Sequence, residues 1–377
     1  MAEGKMAQAS VKRRDLILKG GLAAGAGIAA ASGFPKPAIA QTAPEIKWRL
    51  TASWPKALDV GWGGSEAFCR MVAELTDNKF QIQPFAAGEL VPALQAMDAV
   101  SNGTLEVAHT ASYYYVGKDP TFTFGTQLPF HCNSRQNAAW LMQGGGLQLL
   151  NDFYKKYNVH YVLCGTTGAQ MGGFFRREIK TPDDLKGLKF RIGGLAGQIL
   201  LKLGVVPTQI AGGDIYPALE KGTIDAAEWV GPYDDEKQGF HKIAPYYYYP
   251  GWWEGGPNIN LFIDLKKWTE LPKRYQAAVT AAANYAHNEF INKYDDRNPK
   301  ALKRLAAAGT QFKAFPPEVM EASYKAAIDF YVETSKVNAE FKKMYDSMSA
   351  YWADQVLWWQ VAEYAFDTYS IRLRAKA

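Results

Sequence analysis

The chain has 377 residues, 48% hydrophobic and 21% charged, the balance of a globular protein long enough for two lobes with cores of their own. Its formal charge of +5 is concentrated at the start: residues 1–40 hold Lys5, Lys12, Arg13, Arg14, Lys19 and Lys36 against Glu3 and Asp15, so the remaining 337 residues carry +1. A nearly neutral body without a Lys/Arg run has no electrostatic footprint for nucleic acid or an anionic membrane surface, which leaves small molecules and proteins as the expected partners.

Lys12-Arg13-Arg14-Asp15-Leu16-Ile17, a weakly apolar Gly/Ala stretch from Gly20 to Ala31, and Ala38-Ile39-Ala40 read as a twin-arginine export signal with its cleavage site. The stretch lacks the roughly twenty strongly apolar residues of a membrane span. Residues 1–40 are therefore set apart from the fold, and the working protein is expected in the periplasm.

From there the periodicity is mixed. Ile46–Trp54 alternates as a strand, Gly63–Leu75 has helical spacing, Lys79–Phe85 is a strand, Val91–Val100 a helix and Leu105–Ala111 a strand. A long helix is expected from Ser134 to Tyr157, then a strand His160–Gly165. Short strands follow at Phe174–Arg177, Leu188–Ile192, Pro207–Ile210 and Ile224–Trp229, with helices at Leu195–Leu203 and Ile215–Lys221 between them. After the aromatic run Tyr246–Trp253, a strand Asn258–Asp264 returns the chain to the first lobe. Everything beyond Lys266 reads as helix: Pro272–Leu305, Pro317–Lys336 and Ala339–Arg374. The last carries Met348, Trp352, Val356 and Trp359 on one stripe, which suits core packing or burial against a second subunit.

Catalytic signatures are missing. Cys69, Cys132 and Cys164 form no C-x-x-C pair and allow at most one internal bridge, and the five histidines show no H-x-H or H-E-x-x-H spacing. There is no G-x-S-x-G elbow. Gly193-Gly194-Leu195-Ala196-Gly197 has Ile192 where a dinucleotide loop needs its first glycine, so it reads as a strand-to-helix turn. An exported α/β chain of two lobes joined by crossing strands has the architecture of a hinged, type II-like periplasmic binding protein with a ligand cleft and long C-terminal helices. The expected division is a signal over 1–40, lobe 1 over 41–165, lobe 2 over 166–254, a return to lobe 1 with helices over 255–338, and an aromatic terminal helix over 339–377.

Two segments narrow this further. Thr181-Pro182-Asp183-Asp184-Leu185-Lys186-Gly187-Leu188-Lys189-Phe190-Arg191, and Tyr216 to Trp229 ending in Thr223-Ile224-Asp225-Ala226-Ala227-Glu228-Trp229, resemble the signature segments of the solute receptors of tripartite ATP-independent periplasmic (TRAP) transporters. Glu228-Trp229-Val230-Gly231-Pro232 and Gly251-Trp252-Trp253-Glu254 are similar to the branch that takes 2-oxo and 2-hydroxy monocarboxylates. The resemblance implies that Arg191 grips the substrate carboxylate, for which a guanidinium supplies two parallel charged donors. It also implies a cation beside the substrate, held by Gln170, Glu228, the Trp229 carbonyl and Glu254. Such an all-oxygen set suits Ca²⁺ or Na⁺ and is poor for zinc or copper.

Charge counting favours the cation, because Glu228, Glu254 and the substrate contribute three negatives against one positive from Arg191. Trp54 and the run Tyr113, Tyr114 and Tyr115 fall where first-lobe strand ends should face the cleft, alternation making one or two of the tyrosines structural; Tyr115 is the expected ligand contact. Membrane subunits of the transporter are the implied protein partner, with a homodimer through the terminal helix as a further expectation. A bulkier or aromatic acid on the same fold, or a periplasmic cofactor-dependent enzyme, are the alternatives.

Overall fold

The computed structural model describes residues 44–376, so the export-signal reading lies outside the described residues. Strands β1 (Ile46–Ala52), β2 (Phe80–Phe85), β3 (Val107–Thr110), β4 (Val159–Thr166), β5 (Gly173–Phe175), β6 (Lys189–Arg191), β7 (Val206–Thr208), β8 (Ala226–Ala227), β9 (Tyr246–Tyr249), β10 (Asn258–Asp264) and β11 (Gln311–Ala314) form two sheets. The first has the order β2-β1-β3-β10-β4 and the second β11-β9-β5-β8-β6-β7. Each sheet centres one lobe of an α/β fold.

In the first sheet β1 lies parallel to β2 and β3, and parallel neighbours require crossovers. Helix Gly61–Leu75 supplies one, burying Phe68 and Val72. Strand β10 enters antiparallel between β3 and β4, as its apolar run predicts, with Leu261, Phe262 and Ile263 fully buried. The long helix Lys273–Ala307 covers β4 with Ala278, Val279, Ala282, Ala283, Ala286 and Phe290, a stripe at helical spacing whose alanines permit close approach.

Several elements depart from the sequence expectation. The helix expected over Ser134–Tyr157 is two, Ser134–Met142 and Gly146–Tyr154, because Gly145 adopts φ +83 between them, a left-handed conformation that favours glycine and ends a helix. A capping box between Asn133 and Gln136 starts the first.

The stretch beyond Lys266 is not wholly helical. Strand β11 pairs in parallel with the tyrosine run of β9, so residues 255–338 contribute to both sheets. Tyr247 stacks on Phe174 at 3.9 Å and packs against Phe312, which makes the aromatic run a strand of the second lobe. The pairing is long-range, and Gln311–Ala314 has too few residues to declare a period.

The terminal helix is also divided, into Ala339–Val361 and Glu363–Arg374, with Ala362 at φ −101 and ψ −106 between them. Phe341, Met344 and Met348 are buried, Trp352 packs on His131 at 4.5 Å, and the Arg135 guanidinium lies 5.1 Å from the Trp359 ring. Trp358, Val361, Phe366 and Tyr369 remain exposed. No helix among the described residues is long and apolar enough to cross a membrane.

The lobes are joined by the passages β4 to β5 and β9 to β10, and by the segment from the long helix into β11. Gly256 lies on the second passage, where an added Cβ would stand 2.0 Å from the Ser134 backbone nitrogen. Gly256→Ala is expected to destabilise the fold by about 1–3 kcal/mol through displaced backbone, read as a lowered midpoint of thermal unfolding; an unchanged midpoint would refute this packing.

Candidate functional site

The C-terminal ends of β6 and β8 deliver the first two site residues side by side. The strands run parallel with Arg191 opposite Ala227, so Arg191 and Glu228 leave the sheet together, in the place where open α/β sheets present ligands. The Glu228 amide donates to the Arg191 carbonyl at 3.1 Å. Two irregular connections bring in the rest: the Gln170 amide donates to the Glu254 carbonyl at 3.0 Å, and the Met171 amide to the Val230 carbonyl at 3.1 Å. Gln170, Arg191, Glu228, Trp229 and Glu254, scattered over 85 positions of sequence, thus meet through backbone hydrogen bonds beyond the strands.

All five are buried. Arg191 Nη1 donates to Glu228 Oε2 at 3.0 Å and to the Glu228 carbonyl, its Nε donates to the Ile210 carbonyl at 3.2 Å, and its guanidinium lies 5.1 Å from the Trp229 ring centroid. Nη2 is the nitrogen outside these bonds. Glu228 Oε2 also accepts from the Gly193 amide at 3.3 Å.

Acceptor capacity is left over. Glu228 Oε1, Gln170 Oε1 and both carboxylate oxygens of Glu254 are buried without a well-formed hydrogen bond, the Tyr113 hydroxyl and the Glu228 carboxyl being the polar neighbours of Glu254. Burial pushes the Glu228 carboxyl up against the opposing pull of Arg191. Burial, reinforced by repulsion from Glu228, pushes Glu254 well above the carboxylate range.

No group of three or more His, Cys, Asp or Glu among the described residues converges as a metal site. A cation here would rest on the two carboxylates, the Gln170 amide oxygen and a backbone carbonyl. The orphaned oxygens fit that requirement: they are hard donors, buried, and short of positive charge.

The first lobe closes the site with aromatics. A cavity of about 30 Å³, which meets this cluster at Gln170 and Trp229, is lined also by Trp54, Tyr113, Tyr114, Phe290, Asp234 and Tyr294. Trp54 lines this cavity, its indole nitrogen buried and unpartnered.

The expectation for Tyr115 is corrected. Its hydroxyl turns into the first lobe, accepting from the Met97 amide at 3.0 Å and bonding Thr110 Oγ1 at 3.2 Å, and its ring packs on Phe122 and Phe262. Tyr113 and Tyr114 are the tyrosines that line the cavity beside Gln170 and Trp229. The run Ser112–Tyr115 is a 3₁₀ turn rather than strand, so simple alternation does not assign its side chains. The Tyr113 ring covers Gly193-Gly194, the turn that leads from β6 into helix Leu195–Leu201, and Glu254 raises the cost of ionising its buried hydroxyl.

Asp234 went unremarked in the sequence. Its Oδ2 accepts from the Trp229 indole at 3.3 Å and from the Tyr294 hydroxyl at 2.8 Å, and burial pushes its carboxyl up to about 6. The available signal was a pair of acids, Asp234-Asp235, directly behind Glu228-Trp229 and beside a proline.

Two lobes around a buried site that offers one guanidinium and a set of oxygen donors define a solute-binding protein. The chain belongs to family 7 of the bacterial extracellular solute-binding proteins, whose profile matches residues 52–336. A monocarboxylate 2-oxoacid-binding periplasmic protein of Nostoc sp. is 47% identical over 327 residues, 87% of this chain and 90% of its own. Among solved structures, a TRAP transporter solute binding protein from Bordetella bronchiseptica is 51% identical with a TM-score of 0.87, covering 88% of this chain and 99% of its own. It is a mixed-occupancy dimer with copurified calcium and picolinate bound in one site. A TRAP periplasmic solute binding protein from Pseudoalteromonas atlantica, with bound sodium and pyruvate, is 37% identical with a TM-score of 0.83 and covers 85% and 98%.

Gly194 sits at the contact between lobes with φ +67, and a Cβ there would lie 2.1 Å from Tyr113 Cδ2. Gly194→Ala should hold the lobes apart, seen as a larger radius of gyration in solution scattering at unchanged helix content by circular dichroism. A scattering curve identical to that of the parent would show that Tyr113 does not seat on this turn.

Proposed function

We propose that this chain is the receptor of a TRAP transporter for a small 2-oxo or 2-hydroxy monocarboxylate, bound as a chelate with Ca²⁺ or Na⁺ and delivered to the transporter's membrane subunits from the periplasm. The observation that carries the reading is the buried set of unpartnered oxygens on Gln170, Glu228 and Glu254 beside an arginine with one nitrogen to spare. The names and ligands of the three relatives support it. No bond chemistry is required of the site.

In this reading Arg191 Nη2 takes the substrate carboxylate. Gln170, Glu228, the Trp229 carbonyl and Glu254 hold the cation, which supplies charge to the carboxylate and to the α-oxygen. Trp54 and Tyr113 form the walls, and binding favours the closed state that the membrane subunits would recognise. A divalent ion balances the surplus negative charge fully; Na⁺ leaves more to the surrounding dipoles. A second reading, a bulkier or aromatic acid, is favoured by the aromatic lining and by picolinate in the Bordetella relative. Export through the twin-arginine route belongs to the same reading.

Calorimetric titration with pyruvate, 2-hydroxy acids, picolinate and plain monocarboxylates, with and without chelator, tests it. Arg191→Ala should weaken binding by about 100-fold or more, since it strands a buried carboxylate, and Glu254→Gln should weaken it in a cation-dependent way. Because Glu228 and Glu254 hold protons more tightly than ordinary carboxyls, a cation must displace them, so affinity falls as pH falls and binding releases protons. Parental affinity in Glu254→Gln under excess chelator would remove the cation from the account.

The exposed face of the two terminal helices, with Leu357, Trp358, Val361 and Phe366, is expected to be covered by a second copy of the chain. Sedimentation equilibrium should give a dimer that Trp358→Glu with Phe366→Glu converts to monomer; a monomeric parent at high concentration would refute it.

A further inference from the structure

Helix Pro232–Gln238 begins three residues after Trp229 and therefore carries any movement of the Glu228-Trp229 pair. It is fastened in two rows. The inner row is Asp234, shared between the Trp229 indole and Tyr294 of the long helix. The outer row is centred on Asp59, which lies in the turn between β1 and helix Gly61–Leu75, in the same short segment as Trp54 and Leu58 of the cavity wall. The Tyr233 hydroxyl donates to Asp59 at 3.1 Å from both carboxylate oxygens, Lys237 Nζ donates to Oδ1, and Arg297 Nη1 donates to Oδ2 at 2.7 Å.

These three donors are also linked to one another and to their neighbours without Asp59. The Tyr233 amide donates to Asn298 Oδ1 at 3.0 Å, Arg304 forms an ion pair with Glu236 at 2.6 Å, and Lys237 and Arg297 lie 4.7 and 5.1 Å from the Tyr233 ring. Helix Pro232–Gln238 and the second half of the long helix are thus held to each other, and Asp59 is the member contributed by the first lobe. Among the described residues Asp59 is the acid that forms ion pairs with Lys237 and with Arg297. Withdrawing it leaves both cations without their ion-pair partner.

We propose that Asp59 is a positioning residue for ligand binding: its carboxylate, seated among Tyr233, Lys237 and Arg297, latches the first lobe to the helix behind Glu228-Trp229 and slows the reopening of the closed cleft. An isolated exposed ion pair contributes little, but here three donors converge on one carboxylate, two of them from the helix that follows Glu228-Trp229. Although burial opposes it, the hydrogen bond and charge of Lys237, together with Arg297 and Tyr233, hold the Asp59 carboxyl below its ordinary value, so the latch stays charged at neutral pH. Ligand affinity then depends on a group that touches neither substrate nor cation. The inference rests on the closing receptor described under Proposed function.

The test compares the parent chain with Asp59→Asn and with Asp59→Asn combined with Lys237→Met, using pyruvate and saturating Ca²⁺, tryptophan fluorescence in a stopped-flow instrument, and solution scattering. Asp59→Asn should raise the dissociation rate by about 5-fold or more with a smaller change in association rate. The ligand-free unfolding midpoint should be nearly unchanged, the second substitution should add little, and the mean radius of gyration should increase. Equal dissociation rates with superimposable scattering curves overturn the latch. If no form binds pyruvate, the parent included, the substrate reading falls, and scattering alone decides the latch: a larger Asp59→Asn particle supports it and an identical one overturns it.

Discussion

Burying carboxylates is expensive unless positive charge comes with them, and this cost organises the site. Glu228 and Glu254 lie in the interior with Arg191 as their one cationic neighbour in the cleft. Arg191 has already committed Nη1 to Glu228 and Nε to a backbone carbonyl. Burial raises both carboxyls above their ordinary value, Glu254 further through repulsion from Glu228, so the site is short of positive charge. A hard cation with a carboxylate ligand would answer it without protons. Ligand, cation and closure are therefore three parts of one electrostatic problem.

The fold provides the place where that problem can be posed. Parallel strands β6 and β8 end side by side, so the backbone itself pairs Arg191 with Glu228, and chain crossings between the sheets supply Gln170 and Glu254. Because these residues come from loops fixed at both ends by sheet, their donors are set before any ligand arrives, which lowers the ordering cost of binding. The aromatic face of the first lobe completes the enclosure. Tyr113 rests on a glycine turn that leaves no room for a side chain, and Trp54 stands beside the loop that bears Asp59.

Asp234 and Asp59 extend this logic outward. One is buried and shared between the Trp229 indole and Tyr294; the other is half-exposed at the rim and gathers three donors. Asp234 keeps its Oδ1 buried and unpartnered at the cavity, whereas Asp59 has its carboxylate turned to the rim. Both tie the helix that follows the site to the body of the protein, so the rigidity of the Glu228-Trp229 pair is distributed along that helix.

Much was legible in the chain. Periodicity located the strands of the first sheet and the long helix within a few residues, since each has an apolar face long enough to show its period. The motifs around Arg191, Glu228 and Glu254 pointed, through their resemblance to a receptor family, to residues that the fold brings together. Other features depended on contacts that sequence does not contain. Strand β11 exists because Gln311–Ala314 meets the edge of β9, and the 3₁₀ turn at Ser112–Tyr115 gives the cleft to Tyr113 and Tyr114 and the core to Tyr115. Asp59, Asp234 and Tyr294 acquire their partners only when segments distant along the chain pack together. Side-chain chemistry and local period were determined by the sequence alone; direction, long-range pairing and the sharing of buried charge were decided by the tertiary structure, because each depends on where a second segment lies.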